Sequence, residues 1–417
     1  MNSKPTIIVY KDELLGASET FIRAQAESLG HSRPYFVGLK SIPGLSLPED
    51  RVHIISGPDV GGKVQRARFK LLGPSPRLLR LLEGMQPTLI HAHFGPDASN
   101  AMPIAAALNI PLVVTFHGYD ATMSDAYLPK LYLRRRDLLK ARGARFLCVS
   151  EFIRKQVLEN GFPEGKLQVH YTGIDTEFFR PNPDVARSPI VLFVGRLVAK
   201  KGCEYVIRAM TEVQGVIPQA KLVIIGDGPL CQELQAQAGV SLRNFEFLGA
   251  QDPGTVREWM NRASVFCTPS IVAKSGDAEG FGMVFAEAQA MGLPVVSFAS
   301  GGIPEAVVHG ETGFLAEERD EKGLATSLLL LLLTPKLWAR FSRAGQLRAR
   351  KLFDIRKQAM ALEEIYERVL ADWSPVAALP LSPCLQTVVS AGRDSHASGL
   401  AFPVGVPGVY VPLGRVR

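Results

Sequence analysis

At 417 residues, 47% of them hydrophobic and 21% charged, the chain has the composition of a globular protein with apolar side chains enough for two cores, which excludes a disordered or fibrous polypeptide. The five cysteines, Cys148, Cys203, Cys231, Cys267 and Cys384, stand singly with no C-x-x-C pair, so a disulfide framework is excluded and reduced, mostly buried thiols are expected. The formal charge of +7 is modest, and where it sits says more than its size.

The opening MNSKPTIIVYKDELL breaks its apolar run at Lys11, Asp12 and Glu13 before a signal-peptide core forms. The longest leucine run, Leu328 to Leu333, is far too short to span a bilayer. A cytoplasmic protein is expected. Short Val- and Ile-rich runs then alternate with amphipathic stretches: TIIVY at 6, PYFVGLK at 34, VHIIS at 52, TLIHAHF at 88, PLVVTFHG at 111, RFLCVS at 145 and KLQVHY at 166. That alternation predicts βα units around a parallel sheet. Helices are predicted over Ser18–Leu29, Pro96–Leu108, Leu128–Arg142 and Ser150–Asn160, with Ser18 and Ser150 as N-caps.

Two basic stretches hold much of the positive charge. Lys63, Arg66, Arg68, Lys70, Arg77 and Arg80 are interleaved with bulky apolar residues, and Lys130 to Arg145 carries seven further cations. Such a mixture suits an anionic membrane surface; a solvated helix face and a phosphate-rich nucleic-acid contact are the alternatives.

From Thr176 the segment TEFFRPNPDVARSPI reads as a linker, with Pro181, Pro183 and Pro189. A second βα series follows, with strands predicted at IVLFVGRL (190), KLVIIGDGP (221), FEFLG (245), SVFCTPS (264), PVVSFAS (294) and GFLAE (313). Thr334–Trp373 is predicted helical with a break near Asp354. The stretch after Ser374, rich in Pro, Gly, Ser and Ala, is expected to be disordered. The organisation expected is therefore 1–180 and 181–353 as two α/β domains facing a cleft, a helical segment 354–373, and a tail 374–417.

Ligands of open parallel sheets sit beyond the carboxyl ends of the strands, so the loops there carry the chemistry. GRLVAKKG places Arg196 and Lys201 about a tight loop that opens a helix, a fit for a diphosphate, or else a pair of ordinary surface cations. EGFGMVFAEAQAMGLPVV holds Gly280 and Gly282 at a helix start, Glu279 before it and Glu287 within it. The glycines admit close backbone approach, the helix amides suit an anion, and the carboxylates can accept hydrogen bonds from sugar hydroxyls. IIGDGPLCQEL fails as a dinucleotide fingerprint, because Cys231 stands at the third glycine position and Pro229 occupies the turn. No G-x-x-x-x-G-K-[ST] loop occurs, nor any D-x-D pair to hold a divalent cation. His91 and His93 share one face of a strand; half of a metal site and a cleft-lining or packing role are both open, and no third and fourth ligand stand at fixed spacing. His117, in TFHGYD, ends a strand and should point into the cleft.

GRLVAKKG, IIGDGPL, FLGAQ, EGFGMVFAEAQAMGLPVV and GGIPEAV, in this order and spacing, resemble the C-terminal half of the retaining glycosyltransferases of family 4, which have the GT-B fold of two Rossmann-like domains. SETFIRAQ, LIHAHFG and TFHGYD resemble the N-terminal half of members that build colanic acid, amylovoran and other exopolysaccharides. The resemblance covers residues 6 to about 370.

The resemblance implies transfer of a sugar from a UDP- or GDP-sugar to a saccharide or polyprenyl-diphosphate-linked acceptor, without metal or other cofactor and without nucleic acid as partner, and the basic segments suit a place on the inner face of the plasma membrane. It implies that Arg196 and Lys201 grip the donor diphosphate, and that the amides of Gly280, Phe281, Gly282, Met283 and Val284 hold the distal phosphate and sugar. Glu279 is then the carboxylate on the transferred sugar, Glu287 the one on the ribose, and His117 the group reaching the sugar from the first domain. Leu248 and Gly249 fall where the base is recognised, and the helix after Asp354 crosses back to the first domain. A GT-B-fold epimerase and a non-catalytic nucleotide-sugar-binding or scaffold protein are the alternatives; a phosphorylase would need a pyridoxal lysine site that the sequence does not display.

Overall fold

The computed structural model describes residues 4–16 and 19–374; the cap expected at Ser18 and the disorder expected over the tail lie outside the described residues, except for Ser374. Two all-parallel sheets are formed. The first contains β1 Thr6–Leu14, β2 Arg33–Ser41, β3 Val52–Ile54, β4 Pro87–His93, β5 Leu112–Phe116, β6 Arg145–Cys148 and β7 Leu167–Val169, in the order β3-β2-β1-β4-β5-β6-β7. The second contains β8 Ile190–Val194, β9 Lys221–Ile225, β10 Phe245–Phe247, β11 Val265–Cys267, β12 Val295–Phe298 and β13 Gly313–Ala316, in the order β10-β9-β8-β11-β12-β13. Each order reverses direction at its first strand, between β1 and β4 and between β8 and β11, and that reversal opens a crevice at the strands' carboxyl ends.

The central strands read as unbroken apolar runs because helices cover both faces of a parallel sheet. β5 is buried throughout, and so are Ile190 to Phe193 of β8. Helices of the first half are α1 Thr20–Glu27, α2 Val60–Leu72, α3 Pro76–Glu83, α4 Gly95–Leu108, α5 Tyr119–Thr122, α6 Lys130–Arg142 and α7 Glu151–Glu159. Those of the second half are α8 Cys203–Val216, α9 Cys231–Ser241, α10 Pro253–Arg262, α11 Met283–Ala290, α12 Ile303–Ala306, α13 Glu321–Leu333, α14 Pro335–Leu352 and α15 Ile355–Asp372. Two parallel Rossmann-like layers thus stand where the alternation of apolar runs predicts them.

The break predicted near Asp354 separates α14 from α15, and the Asp354 carboxylate caps α15 by accepting from the Arg356 amide at 3.1 Å. α15 lies against the first sheet: Leu362, Ile365, Tyr366 and Val369 pack on Ile7, Leu89, Val113 and Leu147. Its buried Glu363 accepts from the amides of Gly30 at 3.1 Å and His31 at 2.7 Å. Where the chain leaves the first half and where it returns, its backbone pairs with itself: the Ile174 amide donates to Phe353 at 2.7 Å and the Ile355 amide to Ile174 at 2.8 Å.

The two basic stretches part company in the structure. Along α6, Arg136 pairs with Asp125, Lys140 with Asp137, and Arg135 donates to the carbonyls of Ser99 and Lys70, so these cations are spent within the protein. The first stretch forms α2 and α3, which bury only Gly62, Phe69, Leu78 and Leu82. Val60, Val64, Leu71 and Leu72 of α2 and Leu81 of α3 remain 74, 65, 70, 46 and 41% exposed, beside the exposed cations Lys63, Arg68, Arg77 and Arg80. No single helix among the described residues is long and apolar enough to cross a membrane.

Candidate functional site

The two crevices face each other across a cleft of about 290 Å³ lined by Glu19, Phe21, Phe94, His117 and Tyr119 from the first half and Arg196, Lys200 and the Glu279–Met283 turn from the second. On the second side, β8 ends in Gly195 and Arg196, and a short 3-10 turn at Ala199–Lys201 leads into α8. The glycines of IIGDGP serve packing here: a Cβ on Gly226 would lie 1.9 Å from the Gly195 carbonyl oxygen, so Gly226 lets the β9 loop press against the β8 loop. Arg196 is exposed and has no ion-pair partner among the described residues, a cation placed and unspent.

Lys201 pairs with Glu279 and Lys200 with Asp277 at 2.9 Å. Burial alone would raise the Glu279 carboxyl, but the ammonium groups of Lys201 and Lys200 outweigh it and hold the group below the usual carboxylate range. Glu279 therefore stands ready as an anion that accepts hydrogen bonds. After it the chain turns through Gly280–Gly282 into α11, whose first amides, on Met283 and Val284, open toward the cleft end of the helix. Glu287 lies one turn on, near enough to share the Met283 face. Burial pushes its carboxyl up to about 7.

The Glu287 carboxyl, elevated in the folded protein, is neutral at no penalty below about pH 4.5, and stability is lost as pH rises toward about 7, where the folded protein must ionise it. Glu287→Gln is expected to gain stability over the parent across that window while losing affinity for free nucleoside diphosphate. Paired thermal melts from pH 4.5 to 8, with titration calorimetry, check both halves; unchanged nucleotide affinity would remove Glu287 from the site.

From the first half, His117 ends β5 and its ring packs against Phe94 at 4.6 Å and Phe21 at 5.0 Å. The Asp120 carboxylate accepts from the amides of His117 at 3.1 Å, Gly118 at 3.0 Å and Gly95 at 3.0 Å, fixing the turn that carries the ring. Burial keeps His117 neutral, its conjugate acid lowered to about 3. His91 and His93 are engaged in hydrogen bonds: His91 with Tyr366 and Thr115, each at 2.7 Å, and His93 with His117 at 3.0 Å. Among the described residues no group of three or more His, Cys, Asp or Glu is arranged to hold a metal ion.

Of the sequence-predicted residues, His117, Arg196, Glu279, Gly280, Phe281, Gly282 and Met283 line this one cleft, and Lys201 joins it through Glu279. Val284 and Glu287 continue along α11. Leu248 and Gly249 do not line it; they follow β10, two strands from β8, where the Gly249 carbonyl accepts from the Gly226 amide at 2.8 Å.

Contacts that sequence reading did not foresee join the halves. The Glu305 carboxylate, in α12, accepts from the Glu151 and Phe152 amides at 2.8 Å each and so caps α7 of the other half. Ser150, the cap that was predicted for α7, accepts from the Ile153 amide at 3.1 Å and also donates to the Gly280 carbonyl at 2.6 Å. Thr122 Oγ1 accepts from the Ala278 amide at 3.2 Å, and the Ser124 amide donates to the Ser275 carbonyl at 3.1 Å. A lone Glu after a proline gives no sequence signal for a partner helix about 150 positions away.

Two adjoining family models match the chain, glycosyltransferase family 4 over residues 23–178 and glycosyl transferases group 1 over residues 175–348. Among curated proteins it is 30% identical over 249 residues to a GDP-mannose-dependent alpha-(1-6)-phosphatidylinositol monomannoside mannosyltransferase of Mycolicibacterium smegmatis, a match covering 56% of this chain and 64% of that protein. It is 30% identical to the amylovoran biosynthesis glycosyltransferase AmsK of Erwinia amylovora, over 58% of this chain and 60% of AmsK. It is also 30% identical to a glycogen synthase of Mycobacterium tuberculosis, over 67% of this chain and 69% of that one. The chain thus spans less than two thirds of the first two relatives' length. The fold is shared with Anabaena HepE, solved with UDP and glucose, at a TM-score of 0.72, 20% identity, and coverage of 87% of this chain and all of HepE.

Proposed function

The chain belongs to the family 4 glycosyltransferases of group 1, and from that premise we propose that it moves a sugar from a nucleotide sugar to a saccharide acceptor in cell-surface polysaccharide synthesis, with retention at the anomeric carbon. The observation that carries this reading is the cleft itself: an unspent cation, Arg196, a glycine turn opening α11, and an anionic Glu279 on one side, with a neutral His117 on the other.

In this reading Arg196 and Lys201 hold the donor diphosphate, and the amides at the start of α11 hold its distal phosphate. Glu279, freed from Lys201 as the diphosphate arrives, accepts hydrogen bonds from the transferred sugar; Glu287 accepts those of the ribose. His117 contacts the sugar from the first half, and the backbone around Leu248 and Gly249 meets the base. The bond from the anomeric carbon to the diphosphate oxygen breaks as the acceptor oxygen bonds the same carbon on the same face. The acceptor proton passes to the departing diphosphate, whose growing charge the two cations stabilise. In this reading the charge of Arg196 and Lys201 stands in for a divalent ion, so transfer needs no metal.

Purified protein incubated with a panel of UDP- and GDP-sugars should hydrolyse its own donor slowly and transfer it when a saccharide is added. Conversion of the nucleotide sugar with no acceptor present would mark an epimerase, and binding with no turnover a scaffold protein.

The donor-facing cleft leaves the acceptor to the first half, where α2 and α3 expose apolar and basic side chains together. A polyprenyl-diphosphate-linked acceptor at the cytoplasmic membrane face fits that surface. Vesicles with anionic lipid should carry the protein upward in flotation, whereas neutral vesicles should not; Leu71→Glu together with Val64→Glu should abolish the effect. Failure to float with anionic vesicles would favour a soluble acceptor.

A further inference from the structure

His117 has one side-chain hydrogen-bond partner among the described residues, and it is another histidine. His93 Nδ1 stands 3.0 Å from His117 Nε2, the two rings edge to edge with their planes 26° apart and centroids 5.2 Å apart. Two ring nitrogens at that distance must share a single proton: two lone pairs would repel, and two N–H groups would too. Burial keeps both rings neutral, so protonating both is no escape. Each ring's tautomer therefore dictates the other's.

Resting on the reading of His117 as a donor-sugar contact, we propose that His93 is a positioning residue whose Nδ1–H donates to His117 Nε2, so that His117 keeps its own proton on Nδ1 for the substrate.

The surroundings favour this sense. The bound donor is anionic, and its phosphate and hydroxyl oxygens all accept; an N–H turned to the site is attracted where a lone pair would be repelled. His93 is itself fixed. It is 1% exposed and lies against His91 with ring centroids 4.4 Å apart. His91 bonds on both sides, Nδ1 to the Tyr366 hydroxyl and Nε2 to the Thr115 hydroxyl, each at 2.7 Å. Hydroxyls donate or accept as required, so they hold the His91 ring without imposing a tautomer on it. The three rings thereby connect the cleft to α15, and they give the H-x-H of β4 a use that needs no metal.

The test is nitrogen NMR of the full chain labelled at histidine, with UDP bound and His117 assigned by its loss in His117→Gln. The parent should show a protonated, pyrrole-type Nδ1 and a pyridine-type Nε2 at His117. His93→Leu, which offers neither donor nor acceptor, should move His117 to the Nε2–H form or to an average of both, and should lower kcat about 10-fold, the equivalent of one hydrogen bond, with donor KM little changed. His93→Asn, whose amide nitrogen reaches the Nδ1 position, should restore the parent spectrum and most of kcat. A His117 spectrum unchanged by His93→Leu, or a parent that already carries Nε2–H, would overturn the proposal. If His93→Leu does not fold, the parent spectrum decides by itself: Nε2–H at His117 would be equally fatal. Should His117→Gln retain full transfer activity, the sugar-contact reading fails, while the tautomer spectrum still reports on the pair.

Discussion

Arg196→Ala is expected to lower kcat by about 10²-fold or more, the range for removing a group that stabilises transition-state charge in a closed site. Arg196 is exposed and unpaired among the described residues, so its loss should leave the melting temperature nearly unchanged and report on turnover alone. Lys201→Ala should match that loss but through two effects. It removes a cation from the diphosphate, and it leaves the buried Glu279 carboxylate without its ion-pair partner, which destabilises the fold as well. Lys200, held by Asp277, cannot stand in for it without giving up that pair. Single-turnover measurements at saturating donor separate the cases. Near-normal transfer by both variants would overturn the diphosphate assignment.

Gly280→Ala should be as damaging without touching a charge. A Cβ on Gly280 would sit 2.0 Å from the His117 carbonyl oxygen and 3.3 Å from the Gly118 Cα, both on the opposite half. Backbone cannot yield there cheaply, so the methyl acts as a wedge that holds the halves about 1 Å too far apart. A displacement of that size at reacting groups is enough for a loss of about 10²-fold in kcat. Nucleotide affinity should be largely kept, because the proposed diphosphate and ribose contacts, Arg196, Lys201, the first amides of α11 and Glu287, all lie on one half. Gly165→Ala is the control: nothing lies within 4 Å of its Cβ, and it should behave as the parent. Gly280→Ala with full kcat would show that the closed contact is not part of the working enzyme.

Much of the fold was legible because parallel strands buried on both faces have to be apolar throughout, and runs such as LVVTF and IVLFV permit little else. The second half's side of the cleft was legible because glycines and cations at strand ends leave a pattern in short windows, as at Arg196–Lys201 and Glu279–Glu287. What sequence did not display depends on distant partners. Glu305 caps a helix that only the folded chain brings to it, and the i, i+2 spacing of His91 and His93 left a half metal site and a packing role both open, a choice that rests on the distant Thr115, Tyr366 and His117, which engage the two rings. α2 and α3 went unassigned as helices for a related reason: they bury so few residues that their apolar positions mark no face of the core. The two basic stretches looked alike in sequence, yet differ because Asp125 and Asp137 pair with Arg136 and Lys140 and carbonyls engage Arg135 in one, while Lys63, Arg68, Arg77 and Arg80 stay exposed beside apolar side chains in the other.

The paired crossing at Ile174 and Phe353–Ile355 bears on how such a cleft opens. A single connecting strand would let one half swivel freely about it. Two segments running side by side, tied by hydrogen bonds of 2.7 and 2.8 Å, restrain that swivel, because turning one segment about its own axis would break its bonds to the other. The halves are thereby joined by a double crossing, and any motion that parts Gly280 from His117 while keeping those bonds has fewer directions open to it than a single tether would allow.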